Sequence, residues 1–106
     1  MNEATKQNPL TEFLKFYTEQ NKGRSTRLGV FENGNDFWLE DGLPLAGVDT
    51  DTHGESPTIE IMLGNDFTHT VKGAKSIKIH FNFDENSDGL DITDTEGKTT
   101  ILRFEN

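Results

Sequence analysis

Residues 28–39 read Leu28-Gly29-Val30-Phe31-Glu32-Asn33-Gly34-Asn35-Asp36-Phe37-Trp38-Leu39. Leu28 and Val30 share one face at the two-residue period of a strand, and Asn33-Gly34 supplies a pair of residues that tolerate positive φ at the centre of a tight turn. Phe37, Trp38 and Leu39 then resume an apolar run, so the stretch predicts a β-hairpin. Hairpin partners are antiparallel, whereas a parallel crossover needs about a dozen or more connecting residues.

Similar short connections follow downstream. Pro44, with Gly42 and Gly47 around it, predicts an edge, bend or bulge, and a short strand is expected over Leu45–Asp49. Ile59, Ile61 and Leu63 alternate with Thr58, Glu60 and Met62, the pattern of a half-buried strand closed by Gly64-Asn65. Phe67, His69 and Val71 share a face before Gly73. Ile77, Ile79, Phe81 and Phe83 alternate with Lys78, His80 and Asn82 more cleanly than any other segment, which makes Phe81 an expected core residue. Leu90 and Ile92 mark another strand, Asp94-Thr95-Glu96-Gly97 a turn, and Thr99–Phe104 the returning strand.

Upstream, Asn8-Pro9 is a helix start, since Asn caps free amides and Pro fits the first helical position. Leu10, Phe13, Leu14 and Tyr17 stand at i, i+3, i+4 and i+7 on one face, with Phe16 at its margin and Glu12, Lys15, Thr18 and Glu19 toward water. Gly23 can end the helix in a left-handed conformation. The expected plan is a polar frayed tail over 1–8, a helix over 9–22 and a sheet over 24–105. The fold class is α+β: one N-terminal helix packed on a curved, mainly antiparallel sheet or partial barrel of about six to seven strands.

The 106 residues suffice for a single domain, 1–106. Hydrophobic types reach only 31%, so the core is expected to be thin and to rest largely on the eight phenylalanines. Absence of cysteine excludes disulfides, thiolate nucleophiles and Cys-based metal sites. The opening segment has no apolar stretch, so neither a signal peptide nor a membrane span is expected there, and the cytoplasm is the expected compartment. A formal net charge of −9 disfavours duplex nucleic acid and anionic membranes as partners.

That charge is concentrated. No Lys or Arg lies between Arg27 and Lys72, while Glu32, Asp36, Glu40, Asp41, Asp49, Asp51, Glu55, Glu60 and Asp66 all do. Asp36, Trp38, Glu40, Asp41, Asp49 and Asp51 are therefore the candidate interaction surface for a basic protein partner.

Catalytic signatures are missing: there is no serine in a nucleophile elbow and no glycine-rich phosphate loop, which disfavours an enzyme. Asp84-Glu85-Asn86-Ser87-Asp88-Gly89 matches the opening of a calcium loop, with Asp84, Asn86 and Asp88 as candidate ligands. Its twelfth position is Thr95 where a bidentate Glu is required, and both flanks read as strands, so a polar turn is expected and no resident metal or cofactor. Asp49, Asp51, His53 and Glu55 have permissive spacing for a divalent ion but sit in a Gly- and Pro-containing loop. His69, between inward-facing Phe67 and Val71, reads as a core histidine bonded to Thr68 or Thr70, with a pKa below its ordinary value. His80 is expected to face outward.

The chain resembles a family of small bacterial proteins known only as a domain of unknown function. The residues that carry the resemblance are Leu43-Pro44-Leu45-Ala46-Gly47-Val48 with Asp51 after it, Ile59-Glu60-Ile61-Met62-Leu63-Gly64, His69 before Val71, Gly89-Leu90-Asp91-Ile92, Asp94, Gly97 and Thr100-Ile101-Leu102-Arg103-Phe104. The helix followed by Gly23 is similar to the family layout. The resemblance implies no activity, ligand or catalytic residue, and directs attention to Leu43–Val48 and His69.

Two functional expectations follow. The first is a small non-catalytic module that binds a macromolecular partner through its acidic surface or a sheet edge. The alternative is a small-molecule or metal-binding domain, an enzyme among the options, with a pocket between Leu43–His53 and His69.

Overall fold

The computed structural model describes residues 9–51, 57–80 and 88–105. The expected tail, His53, Phe81, Phe83, Asp84 and Asn86 lie outside the described residues. Helix α1 spans Pro9–Asn21, with Glu12 in its first turn where the helix dipole favours an acid. It ends one residue before the expected boundary, because Gly23 turns left-handed (φ 89°) and sends its N–H to the Leu45 carbonyl at 2.8 Å. Leu14 and Tyr17 are buried, Leu10 and Phe13 pack against the core, and Phe16 is exposed, as the periodicity predicts.

Seven strands follow: β1 (Ser25–Glu32), β2 (Asn35–Asp51), β3 (Thr58–Leu63), β4 (Phe67–Val71), β5 (Ala74–His80), β6 (Gly89–Asp94) and β7 (Thr99–Phe104). They form an open antiparallel sheet in the order β4-β3-β2-β1-β7-β6-β5. The sheet curls over itself without closing into a barrel. His69 on β4 and Thr100 on β7 stand four places apart in that order, yet their side chains meet at 3.3 Å.

Strand β2 is the hinge of the curl, and it departs from expectation. Where a short strand was expected over Leu45–Asp49, one strand of 17 residues runs through Gly42 and Pro44. Its first part pairs with β1 as far as Ser25↔Pro44, and its second pairs with β3 from Leu45↔Leu63 onward. Pro44 has no N–H to give a ladder and falls at this handover, so it bends the strand without breaking it. Thr26, fully buried, bonds the Leu43 carbonyl at 2.7 Å and fixes the corner.

The inner faces of both halves meet in a core of Leu28, Leu45, Val48, Ile59, Ile61, Leu63, Val71, Leu90, Ile92 and Leu102, joined by Phe104. The expected phenylalanine core is thereby corrected. Phe13 and Phe67 are partly buried, and Phe16, Phe31 and Phe37 are exposed. Alternating strand positions filled by aliphatic residues fit the narrow space inside a tightly curled sheet, and most of the described phenylalanines sit at its margins.

Thr18, expected to face water, closes the open flank instead. Where β2 runs past β1, the Val48 N–H donates to Thr18 Oγ1 at 3.0 Å, and the same hydroxyl donates to the Val48 carbonyl at 3.3 Å. One side chain thus occupies both backbone groups of Val48, which pairs with Ile61 of β3 on its other side.

Candidate interaction surface

The β1–β2 hairpin carries four of the five exposed large hydrophobic side chains among the described residues; the fifth is Phe16 of α1. Asn33 and Gly34 both adopt positive φ (54° and 82°), the geometry of a two-residue turn whose twist matches that of the strands. Four large hydrophobic residues flank it in the open: Phe31, Phe37, Trp38 and Leu39, at 45%, 50%, 45% and 37% exposure. They lie too near the turn for the core to cover them.

Local backbone geometry sets their presentation. Leu28 pairs with Glu40 and Gly29 with Trp38, so Leu39 is an extra residue that bulges from β2. Gly29 has no side chain, and the Trp38 indole fills that space; a Cβ there would lie 2.7 Å from Trp38 Cε3. The Arg27 guanidinium sits 3.9 Å from the indole centroid, a cation–π contact that holds the ring against β1. Arg27 Nε also lies 3.7 Å from Asp41 and 3.9 Å from Glu105. Exposed ion pairs of this length contribute little to stability, but they orient the cation.

Glu32, Asp36 and Asp41 are exposed around these rings and Glu40 is half-buried beside them. The structure therefore gathers four of the expected surface residues on this hairpin, Asp36, Trp38 and Asp41 on the face of Gly29 and Glu40 on the face of Leu28. It separates the other two. Asp49 and Asp51 lie in the distal half of β2, on its ladder with β3, where Asp49 stands opposite Glu60 and Asp51 opposite Thr58. Phe31, Phe37 and Leu39 were not anticipated, although apolar residues within a few positions of an Asn-Gly turn are the signal that would have found them.

The remaining candidates have structural partners. Asp88 accepts a bond from Arg24 at 2.9 Å. The half-buried His69 contacts Thr100, a correction to the expected Thr68 or Thr70, because the curl brings β7 beneath β4. Burial, assisted by the positive charge of Lys98, holds its pKa below the ordinary value, as expected. Leu45 and Val48, expected beside a pocket, are core residues. Among the described residues no three His, Cys, Asp or Glu side chains gather as a metal site, and no helix is long and apolar enough to cross a membrane.

Comparison of the chain with protein-family models, curated proteins and solved structures finds no match.

One cluster was not anticipated as a unit, although its His80 was expected to face outward. On the outer face, His80 Nε2 lies 2.8 Å from Asp91 Oδ2, and Arg103 donates to Asp91 Oδ1 at 2.8 Å. Burial alone would raise the Asp91 carboxyl, but the bonds from Arg103 and His80 outweigh it and lower the pKa. Gly89 lies between His80 and Arg103 in the register, and a Cβ there would collide with the Leu102 carbonyl. A cleft of about 330 Å³ adjoins this end of β5, lined in part by Phe13, Phe16, Tyr17 and His80. Burial and the nearby Asp88 carboxylate push the Tyr17 pKa up, so its phenol stays protonated.

Proposed function

We propose that this chain is a non-catalytic interaction module that docks through its β1–β2 hairpin onto a protein partner bearing apolar and basic side chains. The observation that carries the reading is the set of four exposed hydrophobic residues within nine positions, rimmed by carboxylates. Exposed large apolar side chains beside charged ones mark association sites, and tryptophan is enriched where binding energy concentrates. Phe31 and Trp38 share one face of the hairpin and Phe37, opposite Val30, the other, so the partner would grip the hairpin from both sides near its turn. The acidic rim favours a basic partner and speeds its approach. A cytoplasmic setting belongs to the same proposal and accords with a chain free of cysteine. So does kinship with the bacterial family that the sequence resembles, which adds no activity.

The test is recovery of a complex from cell extract, followed by calorimetric titration of the purified partner. Replacing Phe37 and Trp38 together by serine is expected to weaken binding at least about tenfold, or by roughly 1.4 kcal/mol, while the fold persists. Asp36→Asn with Asp41→Asn should reduce both the affinity and its sensitivity to salt. A complex indifferent to both pairs of substitutions would remove the hairpin from the proposal.

A further inference from the structure

Four strand edges have no neighbouring strand among the described residues: β4, β5, the turn-proximal half of β2 and the distal half of β2, the last of which Thr18 of α1 covers at Val48. Unpaired edges template strand addition unless something blunts them. The turn-proximal β2 edge is blunted by the bulge at Leu39 and by Asp36, Glu40 and Asp41. The β5 edge has a register shift between Ala74 and Ser76 and carries exposed Lys75 and Lys78. Strand β4 has neither device. It pairs with β3 from Ile59↔Val71 to Leu63↔Phe67 without a shift, and Phe67–Val71 contains no lysine, carboxylate, proline or glycine.

The two faces beside that edge differ in chemistry. Thr68 and Thr70 are exposed on the outer face, and the register continues inward from Thr70 to Glu60 and then to Asp49. Two carboxylates directly opposite one another repel, and among the described residues neither makes an ion pair with a Lys or Arg. On the inner face Phe67 and His69 are only half-buried, and Val71 is buried. An added strand would place alternate side chains on these two faces.

We propose that the free edge of β4 accepts an extended peptide whose residues alternate basic and apolar, with the basic ones beside Thr68 and Thr70 and the apolar ones beside Phe67 and His69. Main-chain hydrogen bonds supply the attachment, and the alternation supplies the selectivity. A second copy of the chain is the poorer occupant. It would bring up a second chain of net charge −9, with a second row of Glu60 and Asp49 beside the joined edges. This surface is separate from the hairpin, so it extends the proposed function without depending on it.

The probe is a capped lysine–valine alternating hexapeptide, titrated into the full chain and followed by fluorescence anisotropy and by backbone amide shifts. Saturable binding is expected, with the shifts centred on Phe67–Val71. The same peptide N-methylated at every residue keeps its charge but loses its amide donors, and it should not bind. Thr70→Lys, at an exposed position, should weaken binding about tenfold by setting like charges side by side. Trp38→Ser should leave it unchanged, which separates this proposal from the hairpin reading. Equal binding of the N-methylated peptide, shifts centred on Phe31–Leu39, or indifference to Thr70→Lys would each overturn the inference. A protein that sediments as a dimer dissociated by Thr70→Lys would overturn it too, by giving the edge to a second copy.

Discussion

Gly29 shows how one position links the sheet to its exposed surface. Its backbone is ordinary strand, without positive φ, so the requirement for glycine comes from the Trp38 indole lying across it. Gly29→Ala would set a Cβ 2.7 Å from Cε3 of that ring and 3.1 Å from the Phe37 carbonyl. The ring must lift, and it then moves away from Arg27. We expect a loss of about 1–3 kcal/mol, the usual cost of overpacking, with a red shift of the single tryptophan's fluorescence. An unchanged spectrum and an unchanged urea midpoint would show that the indole does not depend on Gly29. The sequence revealed the acids and Trp38 as candidates, because charge and residue type are read directly. It could not reveal that Gly29 faces Trp38, since that pairing depends on the bulge at Leu39, and a one-residue slip of register would send the ring to the other face.

Helix α1 and strand β2 were legible to different degrees for a similar reason. The i, i+3, i+4, i+7 spacing of Leu10, Phe13, Leu14 and Tyr17 carries the helix face in full, because a helix's periodicity is local. Thr18 stands just outside that stripe, and its role is set by Val48, thirty residues away in sequence. Likewise Pro44 marks a departure from regular pairing, but whether the strand stops or changes partner depends on β3. The Thr18 contact gives a direct test of helix docking. Thr18→Val keeps the shape and removes the hydroxyl, leaving the Val48 N–H and carbonyl without their side-chain partner. The expected loss is about 1–3 kcal/mol, measured as a lower urea midpoint. Thr18→Ser restores the hydroxyl and should recover most of it. Equal midpoints for the valine variant and the native chain would mean that water replaces the hydroxyl and that the apolar face alone seats the helix.

The curl of the whole sheet places two titratable groups on opposite surfaces, and their shifts make stability depend on pH in two steps. His69, inside the curl, has its pKa lowered by burial and by Lys98. Above the ordinary histidine value of 6.5 the ring is neutral in both folded and unfolded chains and contributes nothing to the pH dependence. As pH falls below 6.5 the unfolded chain takes up the proton first, and stability declines until the folded-state pKa is reached. Asp91, on the outer face, also has a lowered pKa, but through Arg103 and His80 acting against burial. Its contribution is complete above the ordinary value of 3.8 and is lost as pH falls through the folded-state value. Urea midpoints should therefore hold level from neutrality up to the tyrosine range, where the raised Tyr17 pKa begins a separate alkaline decline, and on the acid side decline through the histidine range and again in the carboxylate range. His69→Gln retains an amide able to bond Thr100 without titrating, and it should flatten the first decline only. Asp91→Asn should reduce the second. A His69 ring that titrates above 6.5 by proton NMR, or a first decline that survives His69→Gln, would show that β4 does not cover β7 as the curl requires.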